Sequence, residues 1–268
     1  ASGELLCIGK AVDPLFELAA VTKAVQNTSN QTMLFENVKG VQFPVVTNLY
    51  NNRQRLCRVV GAEPDGFCPR WNELHEQTPS RLGDESNIID TPSDLVDGKI
   101  SDLPLITYHE RDAGKYITAG LDLMRDPDTG VNNIGIYRLM VKDRNSFGIQ
   151  ISETAHGNYI WKTYEKRGLP CPMAVILGHH PAFFLGTLSF TPLETDELHI
   201  AGGILERPVQ MVKCETIPLE VPADAEIVLE CEILPHIREE EAPFGEYPGT
   251  YGPMRMNPVV KVKAITHR

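Results

Sequence analysis

The spacing of apolar residues predicts the secondary structure of the first fifty residues. Asp13 is a good N-cap residue, Pro14 suits the first position of a helix, and apolar residues recur at helical spacing through 14–27. We therefore expect an amphipathic helix there. Residues 33–40 and 43–50 are short apolar stretches on either side of a turn, and they predict two strands.

The stretch 62–104 differs in composition from the segments around it. It is rich in Pro, Gly, Asp and Ser, which is typical of loops and short helical turns. We expect short helices near 70–77 and a linker that leads out of a first domain.

The middle of the chain predicts an antiparallel meander. Alternating apolar residues from 117 to 123 indicate a half-buried strand, and further strands are expected at 132–142 and 147–152. The segments 125–130 and 143–146 carry turn residues between these strands.

The remaining sequence mixes helices with strands. A helix is expected over 157–168, where Gly168 suits the C-cap. Further helices are expected at 179–186 and 195–205, and strands at 173–178, 209–215, 225–233 and 257–267. This order predicts an α+β chain, with a small N-terminal α/β domain over 1–104 and an antiparallel barrel or sandwich with inserted helices over 105–268.

Composition narrows the class of protein. Of the 268 residues, 42% are hydrophobic and 23% are charged, which is ordinary for a globular protein. The formal net charge of −11 argues against a nucleic-acid partner, which needs clustered Lys and Arg. No run of residues approaches the roughly 18 apolar positions that cross a bilayer. None of the six cysteines forms a CxxC pair, so we expect buried thiols and a cytoplasmic location.

The first candidate for chemistry is the loop 239–253, EEEAPFGEYPGTYGP. Glu241 and Glu246 flank a Pro-Phe-Gly turn, and a rigid turn can aim both carboxylates into one site. Carboxyl groups that lie close to one another or to apolar walls have raised pKa values, which suits proton donation near neutral pH. The alternative is an acidic surface loop, and Glu239 and Glu240 are expected to be solvated in either case.

Arg138 is the second candidate, because it lies in the otherwise apolar segment 132–142. A buried guanidinium stays charged and needs an anionic partner. A substrate carboxylate can provide that partner through two parallel hydrogen bonds. The alternative is an arginine on an edge strand that reaches solvent.

Asn133, His156 and Glu197 are candidate metal ligands of mixed oxygen and nitrogen type. Such a set suits Mn²⁺ or Mg²⁺ that also binds a phosphate better than it suits a closed zinc site. No local spacing links the three residues, so a structural histidine is the alternative. His179 and His180 precede a proline at a predicted helix start, and we interpret both as structural.

Several segments together resemble the UbiD family of decarboxylases. The sequence LEVPADAEIVLE followed closely by PFGE is the most specific feature, and the resemblance extends from about residue 4 to residue 268. The segments in the family's order are MLFENVKG, NNIGIYRLMVK, PMAVILGHHPAFFLG, ELHIAGGILERPVQMVKCET, LEVPADAEIVLE and EAPFGEYPGTYG.

The resemblance implies a carboxy-lyase, a reversible and non-oxidative decarboxylase of aromatic, heteroaromatic or α,β-unsaturated carboxylic acids. Its implied cofactor is prenylated FMN, made by a partner prenyltransferase of the UbiX type, with a divalent metal (Mn²⁺ or Mg²⁺) and a potassium ion. Loss of CO₂ from an sp² carbon leaves an unstable carbanion, so an electron sink is needed.

The family's motifs fall on the candidate residues. For the metal they are Asn133, His156 and Glu197; for catalysis, Arg138, Glu241 and Glu246; and for cofactor contact, Asn133, Ile136, Arg138 and His156. The resemblance implies that Arg138 orients the substrate carboxylate, Glu241 holds Arg138, and Glu246 delivers the proton.

The positions of Asn133 and Arg138 conflict with a regular strand. They lie five residues apart, so a regular strand would point their side chains to opposite faces. We expect a bulge at or near Gly135, which would bring both side chains to one site.

The resemblance also implies a fold and an assembly. Residues 105–268 would form a split β-barrel of the flavin-reductase type. The family has a further C-terminal domain, with a lysine near the cofactor phosphate and contacts that make a homo-oligomer. That domain is absent from this sequence, and it stays open whether the chain alone holds cofactor and closes its site. Two other functions stay open: a non-catalytic binding subunit, and an ordinary flavin oxidoreductase on the same barrel.

Overall fold

The computed structural model describes residues 3–81 and 99–268, with side chains given for all of them except 76–81. The predicted linker falls mainly on residues 82–98 and lies outside the described residues. The α-helices of the described part are α1 (Glu17–Gln26), α2 (Arg53–Val59), α3 (Phe67–Arg81), α4 (His156–Lys166), α5 (Pro181–Thr187) and α6 (Glu197–Leu205), and a 3₁₀-helix spans Ile100–Asp102. Its strands are β1 (Leu5–Ile8), β2 (Thr32–Phe35), β3 (Val45–Thr47), β4 (Tyr116–Ile117), β5 (Leu121–Arg125), β6 (Asn132–Gly135), β7 (Arg138–Val141), β8 (Ser146–Gln150), β9 (Cys171–Leu177), β10 (Met211–Lys213), β11 (Glu220–Pro222), β12 (Ile227–Glu241) and β13 (Arg255–His267).

Helix α1 begins later than the sequence predicts. Asp13 does cap a turn, since its carboxylate accepts a hydrogen bond from the N–H of Leu15 at 2.9 Å. Leu15, however, forms a parallel bridge with Thr107, and the N–H of Phe16 donates to the carbonyl of Thr107 at 3.1 Å. This pairing holds the start of the predicted helix in contact with another segment, so the helix begins at Glu17.

Strands β1, β2 and β3 form a small sheet in that order. β1 runs parallel to β2, and β2 runs antiparallel to β3, as the two apolar stretches around a turn predict. Leu18, Met33 and Phe35 are buried beneath this sheet, and Ile106 packs into the same cluster. The small sheet therefore shares its core with the segment that leads into the larger sheet.

The larger sheet has eight antiparallel strands in the order β4-β7-β8-β13-β12-β9-β5-β6. β6 lies at one edge, and β7 lies beside β4 at the other edge. Only Ile136 and Tyr137 connect β6 to β7. Because two residues cannot cross a flat sheet of this width, the sheet curls into a half-barrel. The fold is thus a mixed α+β fold, as predicted.

Two apolar clusters cover the faces of the curled sheet. The concave face is filled by side chains from strands at both ends of the sheet, such as Met124, Leu139 and Phe147, and is covered by Trp161 of α4. The convex face of β5, β9 and β12 packs against α5 and α6, for example through Phe183. A smaller cluster packs Leu74 of α3 against α6.

Two segments that were predicted as single strands are each divided into two strands. The expected strand 117–123 is two strands, β4 and β5, which lie far apart in the sheet. A Cβ at Gly120 would lie 2.7 Å from Val175, so the chain passes tightly against β9 where it changes position. The expected strand 132–142 likewise divides into β6 and β7. Alternating polarity reports which side chains are buried, and it gives no sign of a step from one sheet position to another.

Most of the other predicted elements agree with the structure, but β12 continues beyond the expected strand 225–233 and ends at Glu241, inside the stretch predicted as a loop. α3 covers the expected helix near 70–77, and α4 ends just before Gly168, which has a φ of 67°. Three elements were not predicted: β1, α2, and β11, which pairs with β10. No helix of the described part of the chain is both long and apolar enough to span a lipid bilayer.

Candidate active site

Arg138, at the first position of β7, is held by two carboxylates. Its Nε and Nη2 atoms donate to the two oxygens of Glu241, each at 2.9 Å, in a bidentate pair. Its Nη1 atom contacts Glu246. The side chain of Arg138 is 13% exposed and that of Glu241 is fully buried. The structure therefore brings together the three residues predicted as catalytic, which come from β7, the end of β12 and the loop after it.

Glu241 has a further partner that the sequence did not indicate. Nδ2 of Asn257 donates to Glu241 Oε2 at 3.0 Å and also to Gln150 Oε1 at 2.7 Å. Asn257 is buried in β13, the hairpin partner of β12. Both oxygens of Glu241 are thus fixed, so its carboxylate holds the guanidinium of Arg138 in one orientation.

The loop 242–252 covers Arg138. The ring of Phe244 lies 5.2 Å from the guanidinium carbon and stacks at a tilt on Tyr116 at 4.6 Å. Glu246 follows on the same loop, and its side chain is 40% exposed. One wall of the site is therefore aromatic, and the exposed carboxylate lies at its rim.

Asn133, His156 and Glu197 form a second group. Asn133 Nδ2 donates to Glu197 Oε1 at 2.9 Å, and His156 Nδ1 lies 3.9 Å from the same oxygen. The N–H of Ile134 donates to Glu197 Oε2 at 3.3 Å. Asn133 Oδ1 is buried and has no hydrogen-bond partner. A side-chain amide, a carboxylate and an imidazole nitrogen thus lie close together, as ligands of one metal ion would.

Burial raises the pKa of Glu197 to about 7, although hydrogen bonds from Asn133 and Ile134 oppose the shift. Glu197 is the first residue of α6, where the carboxylate of Asp196 caps the helix by accepting from Leu198 N–H at 2.9 Å. A buried carboxylate of this kind is stabilised in its charged form by a nearby cation. The unpartnered Asn133 oxygen and this carboxylate fit a hard divalent metal such as Mn²⁺ or Mg²⁺.

The break between β6 and β7 resolves the conflict between Asn133 and Arg138. The expected bulge near Gly135 is instead a complete break at Ile136 and Tyr137, where the chain crosses from one edge of the curled sheet toward the other. Four residues separate Asn133 from Arg138, so their Cα atoms lie within about 18 Å of each other. Both groups of side chains can therefore serve one bound molecule.

Asp122 supports this break. Its carboxylate is fully buried, and Oδ2 accepts a hydrogen bond from the N–H of Tyr137 at 2.9 Å. Tyr137 lies outside both strands, so this bond replaces the partner that a strand would have given it. Ile136, a predicted cofactor contact, is half-buried and packs against the convex-face cluster.

His179 and His180 have structural contacts, as predicted. His180 caps α5 by accepting from the N–H of Ala182 at 3.2 Å, and His179 packs on Phe183 with ring centroids 3.9 Å apart. Among the described residues no cluster of three His, Cys, Asp or Glu side chains could hold a metal. The candidate metal group contains two such residues and an asparagine.

Sequence reasoning missed Asn257 and Asp122 as members of the site. Asp196 is a good N-cap residue within the predicted helix 195–205. It was therefore a signal that Glu197 lies in the first turn of that helix. No local pattern marks Asn257 or Asp122, because each acts on a residue distant in sequence.

Comparison with known families identifies the family to which this chain belongs. The model of the 3-octaprenyl-4-hydroxybenzoate carboxy-lyase N-terminal domain matches residues 1–74. The model of the Rift-related domain of the same enzymes matches residues 89–268. The chain belongs to the UbiD family.

Relatives with known names share this family. The chain is 32% identical to the anhydromevalonate phosphate decarboxylase of Methanothermobacter thermautotrophicus, over 98% of the chain and 60% of that protein. It is 31% identical to the phenolic acid decarboxylase of Sedimentibacter hydroxybenzoicus, over 99% of the chain and 59% of that protein. The chain thus spans less than two thirds of the length of these relatives.

Solved structures give the same result. An evolved dimeric form of the UbiD-class enzyme HmfF from Pelotomaculum thermopropionicum, in complex with prFMN, is 40% identical with a TM-score of 0.87, covering 99% of this chain and 62% of that one. The closed form of vanillic acid decarboxylase from Sedimentibacter hydroxybenzoicus is 28% identical with a TM-score of 0.89, covering 99% of this chain and 59% of that one.

Proposed function

We propose that this chain carries the chemistry of a non-oxidative, reversible decarboxylase that acts on an aromatic, heteroaromatic or α,β-unsaturated carboxylic acid. The observation that carries the proposal is Arg138, held bidentate by buried Glu241 and contacted by exposed Glu246, in a member of the UbiD family. Family relatives named as decarboxylases support the same reaction class.

Arg138 binds and orients the substrate carboxylate. Its Nη1 atom contacts Glu246 of the loop 242–252, and its Nε and Nη2 atoms are held by Glu241. A guanidinium held in this way presents N–H donors in a fixed geometry. It orients the bond between the substrate carbon and its carboxylate, and no reorganisation of the protein is needed during the reaction. Phe244 keeps water from one side of the guanidinium, and this strengthens the electrostatic interaction between Arg138 and a bound carboxylate.

Glu246 delivers the proton. When the carbon–carbon bond to the carboxylate breaks, CO₂ leaves and the electron pair of that bond stays on the substrate carbon. A proton from the Glu246 carboxyl then bonds to that carbon, and the reverse sequence adds CO₂. Prenylated FMN, when bound, supplies the electron sink that stabilises the negative charge on this carbon.

Asn133, His156 and Glu197 would hold the divalent metal that belongs with this cofactor. The free Asn133 oxygen and the buried Glu197 carboxylate support this assignment. We also propose that the cofactor comes from a UbiX-type prenyltransferase, that Ile136 contacts the cofactor, and that the active protein is a homo-oligomer. We propose a domain boundary near residue 104.

A screen of carboxylic acids tests the function. The protein, produced together with a UbiX-type prenyltransferase, is incubated with furan, pyrrole, benzoic and cinnamic-type acids in D₂O. We expect CO₂ release and one deuterium at the carbon that bore the carboxylate, in at least one class. The same protein produced without the prenyltransferase is the control and should be inactive.

Two results would contradict the proposal. Oxidation of a nicotinamide cofactor by the flavin-loaded protein, without CO₂ release, would indicate an ordinary flavin oxidoreductase. Tight cofactor binding without turnover of any acid would indicate a non-catalytic binding subunit.

A further inference from the structure

The segment 108–113 is attached to the loop 242–252 by a buried carboxylate. The side chain of Asp112 is fully buried. Its Oδ2 accepts hydrogen bonds from the backbone N–H of Tyr108 at 3.2 Å and of His109 at 2.8 Å. Its Oδ1 accepts from the backbone N–H of Gly245 at 2.8 Å. One carboxylate therefore closes its own turn with one oxygen and holds a distant loop with the other.

Other contacts between the same two segments strengthen this attachment. The N–H of Ala113 donates to the carbonyl of Pro243 at 2.9 Å, and the N–H of Arg111 donates to the hydroxyl of Tyr251 at 3.1 Å. A Cβ at Gly245 would lie 2.4 Å from the ring of His109. Backbone and ring are thus in direct contact at Gly245, and the loop has little freedom to move toward the segment.

The attached residue, Gly245, directly precedes Glu246. Glu246 is otherwise held by contacts within its own loop, such as its N–H to the carbonyl of Thr250 at 2.9 Å, and by Arg138. Loops held only by internal bonds move readily. The bond from Gly245 N–H to Asp112 is charge-assisted and buried, which makes it stronger than a neutral bond of the same length.

We infer that Asp112 is a positioning residue for Glu246, an inference that rests on the proposed role of Glu246 as proton donor. Asp112 touches no reacting atom. It fixes the backbone next to Glu246, so that the carboxyl group stays beside Arg138 and within reach of the substrate. Displacement of a reacting group by about 1 Å can lower a rate by on the order of 100-fold.

Asp112→Asn tests this inference. An amide has one oxygen, so it can accept from Gly245 or from Tyr108 and His109, while its NH₂ group faces the other donors. In the cofactor-loaded enzyme we expect kcat to fall about 10- to 100-fold with KM changed less than about threefold. Hydrogen–deuterium exchange of loop 242–252 should rise by at least about tenfold, because the amide can no longer accept from Gly245 and from its own turn at the same time.

Asp126→Asn is the matched control. Asp126 is also buried and also accepts two backbone N–H groups with one oxygen, from Asp128 at 2.8 Å and Thr129 at 3.3 Å. It closes the turn 125–130, which lies between β5 and β6 and is far in sequence from the loop 242–252. A general loss of stability from a buried Asp→Asn change would appear in both variants. Faster exchange of the loop and a lower kcat should appear only in Asp112→Asn.

A second pair of variants reaches the same loop without changing Asp112. Gly245→Ala adds a methyl group that meets the His109 ring, and it should lower kcat. His109→Ala added to Gly245→Ala removes that ring and should restore most of the lost rate. This rescue keeps the inference testable if Asp112→Asn fails to fold.

The outcomes separate this inference from the proposed function. Unchanged exchange in the loop of Asp112→Asn overturns the inference, whatever the activity. Faster exchange with unchanged kcat, in an enzyme that Glu246→Gln inactivates, overturns it too. If Glu246→Gln is itself fully active, the proton donor is wrong, and faster loop exchange still supports Asp112 as the residue that holds the loop.

Discussion

Glu241 and Glu246 both contact Arg138, but solvent reaches them differently. The Glu241 side chain is fully buried and that of Glu246 is 40% exposed. A group that only orients a guanidinium is best kept from water, since burial strengthens the pair and prevents competition. A group that donates a proton in each turnover must recover one from solvent. The difference in exposure therefore supports separate roles for the two carboxylates.

Glu246→Gln should lower turnover of the cofactor-loaded enzyme by roughly 100-fold or more, the usual scale for loss of a general acid. Gln keeps the shape of the side chain and removes the transferable proton. Flavin binding should survive, because Glu246 is outside the metal group. Steady-state kinetics and the flavin absorbance of the purified variant measure the two effects.

Glu240→Gln is the control for this variant. Glu240 is an exposed residue on the same acidic segment, and its change should leave the rate within about twofold. Wild-type turnover by a flavin-loaded Glu246→Gln would show that another group donates the proton.

Glu197 makes the stability of the metal-free protein depend on pH. Its pKa is about 7 in the fold, against an ordinary value of 4.5. The folded state therefore holds a proton that the unfolded state releases, and its contribution to stability is present below about pH 4.5 and lost as the pH rises through 7. We expect the free energy of unfolding to lose roughly 3 kcal/mol from this group across that window.

Urea unfolding in EDTA at pH 5 and pH 8 measures this loss, with Glu197→Gln as the control that removes the titrating group. Between pH 5 and pH 8 the free energy of unfolding of wild type should fall relative to that of Glu197→Gln. Excess Mn²⁺ should reverse the shift, since a bound cation favours the ionised carboxylate. A difference that is the same at both pH values would contradict the raised pKa.

The break between β6 and β7 is the element on which the site depends, and buried Asp122 supports it. Burial raises the pKa of Asp122 well above its ordinary value, although the hydrogen bond from the N–H of Tyr137 opposes the shift. Asp122→Asn keeps an oxygen that can accept from Tyr137 N–H, and we expect a change in unfolding free energy within about 1 kcal/mol. Asp122→Ala leaves that N–H unpaired and opens a cavity, and it should cost about 2 to 4 kcal/mol.

Urea unfolding of the two Asp122 variants at pH 7 compares these costs. Leu123 is the adjacent residue in β5 and is also fully buried, but it faces the opposite side of the sheet. Leu123→Ala therefore gives the cost of a cavity in β5 that leaves Tyr137 N–H paired. Equal destabilisation by Asp122→Asn and Asp122→Ala would show that hydrogen bonding to Tyr137 is not what Asp122 contributes.

At the scale of the whole molecule, local pattern predicted most of the elements and missed their arrangement. Helix α4 and strands β9, β12 and β13 follow from periodicity and from Gly168 because those signals lie within the element itself. The division of 117–123 and of 132–142 into separate strands depends on the curl of the sheet. The curl is set by packing between strands that are distant in sequence, so it cannot be predicted from the alternation of residues along one segment.

The candidate site was predictable in part, for a similar reason. The residue types of Arg138, Glu241 and Glu246 pointed to charge pairing, but only resemblance to a family placed them together. Asn257 and Asp112 remained unseen, since each supports the site through a backbone or side-chain partner more than 15 residues away. A buried hydrogen bond between distant residues leaves no periodic trace in the sequence.

The curl of the eight-stranded sheet also bears on how the chain folds. Asn133 and Glu197 are 64 residues apart, and Arg138 and Glu241 are 103 residues apart. Loop closure over such separations is entropically expensive and slow, and proteins rich in such contacts fold more slowly than those with local contacts. The hairpins of β5 with β6 and of β12 with β13 can form early from neighbouring sequence, whereas the pairings of β9 with β5 and of β8 with β13 join distant segments. We expect the candidate catalytic and metal groups to assemble among the last events of folding, so that a nascent chain becomes competent for its ligands only after β13, which holds Asn257 and lies between β8 and β12, has left the ribosome.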